Sequence, residues 1–427
     1  MKKRVLSILA LLVLLSLLSL AGCDSRKTET AQDGENKGME EDSADNAETP
    51  YGDTSVPSGN NNETVIALTE EIMELEKGFS AVRYEGDYGF DRFLSEGGAS
   101  SDQEVAGFLV ENLLSGTSVP EGMGFGFSGS PFGCSTVAVQ GSDGEFLFGR
   151  NFDWNHCEAL AVVAYPENGY ASISTVNMDF VSQGVGGIAL KLDEVTPFGD
   201  TSMPGSAPAI ARASGSNKVR TLAALYAPLD GMNEKGLAVS VNMIQDSDSI
   251  DQDTGKPDIT TTTAIRLLLD GAATVEEALE LLGQYDMHAS MGMMVHFAIA
   301  DVDGRSVAVE YVDNETPSGD TSMPSGSNKE MVVMETPVLT NFYLADGEKN
   351  GIGTEQSHTR YDILMEWLED GGAIGEDEVR DALFSVSKGN FGDSLSTEWS
   401  VVFNQSEGRA TYYHRENYEQ GYTFAIE

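Results

Sequence analysis

The chain has 427 residues, enough for a large core, and carries 69 acidic against 25 basic residues, a formal net charge of −44. That balance excludes nucleic-acid binding, which needs a basic surface, and any anionic substrate must be held by local groups against the overall field. Three cysteines, Cys23, Cys134 and Cys157, do not make a disulfide framework.

Residues 1–22 read as a secretion signal. Lys2-Lys3-Arg4 is the basic start, Val5–Leu20 is the apolar run, and Ala21-Gly22 places small residues before Cys23. The run is short for a membrane-spanning helix. The ending resembles a bacterial lipoprotein box. That resemblance implies an extracytoplasmic protein tethered to the membrane by a lipid on Cys23. Residues 23–65 have almost no apolar side chains and read as a disordered acidic tether.

Residues 66–133 are expected to form a helical segment ahead of the main domain, 134–427. Ile72, Leu75, Phe79 and Val82 are spaced for one apolar helix face within Glu70–Phe93, and Ser101-Asp102 can cap a second helix over Asp102–Leu114. Gly122–Gly133 is rich in glycine and reads as a loop that can bend sharply. Thr49–Pro57 recurs as Thr196–Pro204 and Thr316–Pro324, with a shorter form at Gly116–Pro120. The copies are unevenly spaced, so they are not a solenoid period, and their Pro, Gly, Ser and Asp content reads as surface loop.

The run Gly133–Asp153 organises the rest. Ser135–Gln140 and Glu145–Gly149 flank the turn Gly141–Gly144 and predict a hairpin. The hairpin returns Arg150 and Asp153 toward Cys134. A nearby arginine favours the thiolate, which is the nucleophilic form. A cut between Gly133 and Cys134 would also give Cys134 a free α-amine with a pKa of roughly 7.7–8, able to act as base for its own thiol, with Asp153 holding it. Spacing alone leaves a second reading open. In it, Cys134 is a small buried hydrophobe and Arg150–Asp153 a surface ion pair.

Further along, Trp154 reads as pocket wall or core. His156 and Cys157 are sequence neighbours that point to opposite faces of a strand, and no second His/Cys cluster completes a zinc site, so neither a metal nor a cofactor is expected. Strands are expected over Leu237–Ile244, Val295–Asp301, Ser306–Val312 and Met331–Leu339. Helices are expected over Thr263–Asp270, Thr274–Tyr285, Tyr361–Leu368 and Asp377–Val386, and a closing meander over Trp399–Phe403, Arg409–His414 and Tyr422–Ile426. Asp246–Asp258 lacks calcium-loop spacing and reads as a solvated acidic loop. This order suits an α+β fold in which two antiparallel sheets stack between helices.

Gly133-Cys-Ser-Thr136, Arg150 and Asp153 resemble the choloylglycine hydrolase family. So do Gly231–Leu237 with Asn242, Val338–Asn341, Ser357–Tyr361 with Arg360, and Thr397–Val402. That family includes bile salt hydrolases and penicillin V acylases, and is related to N-acylethanolamine acid amidase and acid ceramidase. The resemblance implies a four-layer αββα N-terminal-nucleophile hydrolase that cuts linear amide C–N bonds after self-cleavage at Gly133–Cys134. It further implies Asn341 and Asn242 as oxyanion donors and Arg360 as support for the site's charge. Asn242 stands one residue short of the bile salt hydrolase offset, and the tyrosine that penicillin acylases carry there is missing. The expected partner is a small N-acyl amide. An acyltransferase on the same acyl-enzyme and an inactive binding protein are the alternatives.

Overall fold

The computed structural model describes residues 62–113, 133–183, 209–313, 329–391 and 396–427. All belong to the unit Tyr51–Glu427. The signal, Cys23, most of the tether, the glycine-rich run up to residue 132 and all four copies of the repeated loop lie outside the described residues. Among the described residues no helix is long and apolar enough to cross a membrane.

In chain order come β1 (Asn62–Val65), β2 (Met73–Glu76), β3 (Phe79–Glu85), α1 (Phe90–Ser95) and α2 (Asp102–Leu113). β4 (Gly133–Gln140), β5 (Phe146–Trp154), β6 (Ala159–Tyr165) and β7 (Ser172–Asn177) follow, then α3 (Met178–Gln183) and α4 (Ala209–Leu225). Next are β8 (Asp230–Asn233), β9 (Ala238–Met243), β10 (Asp258–Thr260), α5 (Thr261–Gly271), α6 (Val275–Leu282) and β11 (Asp286–His288). β12 (Val295–Ala300), β13 (Ser306–Asp313), β14 (Lys329–Glu335) and β15 (Val338–Leu339) lead to α7 (Glu355–Glu369) and α8 (Glu376–Ser385). β16 (Ser396–Asn404), β17 (Arg409–His414) and β18 (Gln420–Ala425) end the chain.

Two large, mostly antiparallel sheets result. The first has the order β1-β18-β17-β16-β5-β4-β15, the second β14-β13-β12-β9-β8-β7-β6-β3-β2. One core, containing Cys134, Phe148, Phe152, Val239, Phe297 and Trp399, joins the sheets. A second, built from Val137, Leu147, Val379, Leu383 and Val402, lies between the first sheet and α7–α8. On the far side α4 and α5 pack against the second sheet. The stacking is therefore helices, sheet, sheet, helices, as the α+β αββα expectation has it.

Three expectations are corrected. Glu70–Phe93 is not one helix. Gly78, at φ +93°, turns the chain between β2 and β3, and β3 lies inside the second sheet, parallel to β6 from Phe79 to Glu85. Phe79, Ala81 and Val82 are fully buried there, so ladder pairing and burial override the helical spacing. The end of the expected tether, Asn62–Val65, is a strand, because the free edge of β18 offers Gln420–Thr423 to its backbone. Met331–Leu339 is two strands in different sheets, broken at Thr336-Pro337, where proline has no N–H for a ladder.

Candidate active site

The β4–β5 register sets the geometry. Cys134 pairs with Phe152, Thr136 with Arg150 and Gly133 with Asp153. Side chains alternate along a strand, so Cys134 and Arg150 point between the sheets while Gly133, Ser135 and Asp153 face α7. Cys134 and Arg150 are diagonal neighbours on one face, and Arg150 Nη2 lies 3.7 Å from Cys134 Sγ. The same nitrogen donates to Val241 O at 2.9 Å. Arg150 Nη1 pairs with Asp230 of β8, which also accepts from Trp399 Nε1 at 2.9 Å. All of these side chains are buried. Arg150 and Asp153 are therefore not a surface ion pair.

β15 pairs Leu339 with Thr136 and Val338 with Val137. The same antiparallel register carried two residues on puts Asn341 beside Cys134. Asn341 Oδ1 accepts from Cys134 N–H at 2.8 Å and from Arg360 Nη2 at 2.7 Å, and Asn341 Nδ2 donates to Met243 O at 2.7 Å. Arg360, on α7, donates through Nη1 to Cys134 O at 2.6 Å and to Ser135 Oγ at 2.7 Å. The Asn341 carbonyl, not Asp153, thus holds the Cys134 N–H.

Asp153 Oδ1 accepts from Thr397 Oγ1 at 2.7 Å, and its Oδ2 lies 3.5 Å from Arg360 Nη1. Oδ2 is buried without a hydrogen-bond partner among the described residues. It sits directly against Gly133, since a Cβ added there would come within 2.5 Å of it.

Asn242 does not touch Cys134. Its Nδ2 donates to Leu339 O at 3.1 Å. The backbone of its neighbour Met243 lies on the thiol's side instead, and its N–H favours the thiolate. Val241 N–H bonds Leu229 O at 3.0 Å at the flank of β8, and β8 does not extend to a partner for Met243. Burial pushes the Cys134 thiol up. Arg150, Arg360 and the Met243 N–H pull it down, Asp153 pushes it up, and the balance stays above the ordinary value.

The six expected site residues thus converge, Asn242 indirectly through Leu339. Asp230, Met243 and Thr397 join them. Asp230 stands directly before the Gly231–Leu237 run, but only the meeting of β5 and β8 across the sheets shows its role. His156 bonds Glu398 through Nδ1 at 3.0 Å, and Cys157 is buried beside it with its N–H on Glu398 Oε2 at 2.9 Å. Four aspartates of the 246–258 loop have partners: Asp246 and Asp248 pair with Lys349 at 2.6 and 2.8 Å, and Asp251 and Asp258 meet the ring nitrogens of His288 at 2.8 and 2.9 Å.

Two buried carboxylates give the fold an acid limit. Burial pushes Glu310 up, but donors from His296, Leu344 and Ala345 outweigh it and hold it below its ordinary 4.5. For Glu398, Ser396, His156, Cys157 N–H and Arg415 likewise overcome burial. A depressed carboxylate contributes stability that is fully present above its unfolded value and is lost as pH falls through the folded one. The urea midpoint is therefore expected to be flat from about pH 7 to 5 and to fall below about pH 4.5. Glu310→Gln should lower the plateau and flatten that acid slope. An unchanged slope in the variant would remove Glu310 from the account.

Residues 134–316 match the family model of the linear amide C–N hydrolases, choloylglycine hydrolase family. The match covers less than half of the chain, which is similar to this family over that segment. A variant of conjugated bile acid hydrolase from Clostridium perfringens is a solved structure to which it is similar. The two share 18% identity over 69% of this chain and 92% of that one, with a TM-score of 0.42. Penicillin V acylase from Agrobacterium tumefaciens is another, with 17% identity over 66% and 83% and a TM-score of 0.36. No curated protein matches.

Proposed function

We propose that the protein hydrolyses a small N-acyl amide with Cys134 as an N-terminal nucleophile, freed by cleavage of its own Gly133–Cys134 bond. The observation that carries this is the buried Asp153 Oδ2, which has no hydrogen-bond donor among the described residues and lies against Gly133. A buried carboxylate oxygen without a donor is costly, and the ammonium created at Cys134 by the cut would supply one. The family match, which begins at Cys134, supports the same reading.

In the cut, Cys134 sulfur adds to the Gly133 carbonyl carbon, the C–N bond breaks, the nitrogen takes the thiol proton, and water hydrolyses the thioester. In turnover the α-amine takes the thiol proton, sulfur attacks the substrate carbonyl, and the amine product leaves with that proton. Water then releases the acid from the thioester. Arg150 stabilises the thiolate, Met243 N–H and Asn341 flank the developing oxyanion, and Arg360 fixes Asn341. A lipid on Cys23 holds the enzyme at an extracytoplasmic membrane surface.

Intact mass tests the first step. Wild type should give two pieces meeting at Gly133/Cys134, and Cys134→Ala a single chain. The cut protein should then release acid and amine from at least one member of a panel of N-acyl amides, and alkylation of Cys134 should stop it. One uncut chain in both proteins would overturn the mechanism. Membrane-fraction protein that stays bound after Cys23→Ala would overturn the anchor.

A further inference from the structure

His296 and Glu310 lie outside every motif singled out in the sequence, and both are fully buried. His296 is on β12, directly opposite Asn242 of β9. Its Nε2 meets Thr340 O at 2.9 Å and its Nδ1 meets Glu310 Oε1 at 2.9 Å. Both ring nitrogens face acceptors, so the ring bridges the Thr340 carbonyl and the Glu310 carboxylate. Glu310 has more acceptor capacity and uses it on the backbone. Oε1 takes Leu344 N–H at 2.9 Å and Oε2 takes Ala345 N–H at 3.0 Å.

These bonds grip one short segment from both sides. Thr340 is fixed by its carbonyl, and Leu344 and Ala345 by their N–H groups. Asn341, the residue that accepts the Cys134 N–H, lies between them. The segment leaves the first sheet at β15, whereas the carboxylate and imidazole belong to the second sheet. The pair therefore sets the position of Asn341 relative to Cys134 by tying it to the opposite sheet. A buried ion pair is weak evidence for stability, since its desolvation offsets its attraction, and holding one geometry is its better-attested use.

We infer that His296 and Glu310 are positioning residues for the amidase site, acting through Asn341. This rests on the reading of Cys134 as nucleophile. A catalytic group displaced by about 1 Å can cost on the order of 100-fold in rate. Glu310→Gln turns one acceptor oxygen into a donor that faces N–H groups. It is expected to lower kcat by roughly 10- to 100-fold with KM within about 2-fold.

The deciding measurement is a double-variant cycle on the full processed protein. In an Asn341→Ala background, adding Glu310→Gln should cost less than about 2-fold more in kcat, because both act on one group. A general loss of stability would multiply instead, and multiplied losses overturn the inference. So does Glu310→Gln with near wild-type kcat. If Glu310→Gln does not fold, His296→Gln, which keeps a donor for Thr340 O, enters the same cycle with the same criterion.

Wild-type turnover, measured first, tests the nucleophile reading separately. Should wild type prove inert, hydrogen exchange at residue 134 of the uncut chain still decides. Exchange there should rise roughly 10-fold or more in Glu310→Gln if the clamp governs Asn341. Unchanged exchange would end the proposal.

Discussion

Arg150→Met is expected to damage the protein in two ways that a second substitution separates. The guanidinium is buried between the sheets, paired with Asp230 and 3.7 Å from the Cys134 sulfur. Removing it leaves the Asp230 carboxylate in the core with, among the described residues, only the Trp399 N–H donating to it. Breaking a buried pair from one side costs about 3–5 kcal/mol. Turnover should fall roughly 100-fold or more, the scale of losing one preorganised electrostatic partner at a reacting atom. Asp230→Asn added to Arg150→Met removes the stranded charge. The double variant should recover most of the urea midpoint and none of the turnover. Circular dichroism in urea and single-turnover acylation of Cys134 check the two halves. A double variant that acylates at near wild-type rate would make Arg150 a core ion pair and nothing more.

That prediction could not have been written from the sequence, and the reason is physical. The hairpin carrying Cys134 and Arg150 was legible because its pattern is local: alternation, a Gly/Asp/Ser turn, and a register that follows from the turn. The helices α5 to α8 and the closing meander were legible for the same reason. Thr274, for instance, opens the expected helix and caps α6 by accepting from Glu277 N–H. What crosses between the sheets leaves no local trace. Asp230 meets Arg150, Met243 meets Cys134, and Glu310 reaches Leu344 and Ala345 only because two sheets stack. Glu70–Phe93 failed differently. Its apolar spacing satisfies a helix, yet Phe79–Glu85 lies inside a sheet, where neighbours on both sides decide. Asn242 shows a third limit: the motif put an asparagine near the sulfur, and one residue of offset gave the contact to the backbone of Met243.

The segment before Cys134 should prove part of the enzyme and not a disposable leader. It supplies strands to both sheets. β1 runs parallel to β18, and β3 runs parallel to β6 with β2 outside it. Phe79 and Phe93 are fully buried and Phe90 nearly so, with Phe90 and Phe93 packed at 5.5 Å from Tyr226. Tyr88 donates to Asp270, and Tyr226 OH donates to Tyr88 O at 3.0 Å. Burying a phenylalanine stabilises by roughly 1.5–3 kcal/mol. Three of them alone rival the net stability of a typical domain, roughly 5–15 kcal/mol. After a cut at Gly133–Cys134 the two pieces are therefore expected to elute as one particle in native buffer and to part only in denaturant. A chain begun at Cys134 leaves the edges of β6 and β18 open and the Tyr226 face bare, and should be insoluble or molten. Co-expression of residues 62–133 as a separate piece should restore solubility. Native mass spectrometry and near-ultraviolet circular dichroism decide it. A soluble Cys134–Glu427 chain that melts like wild type would show that the second and first sheets stand without their outer strands, and that the segment serves only to deliver the cut.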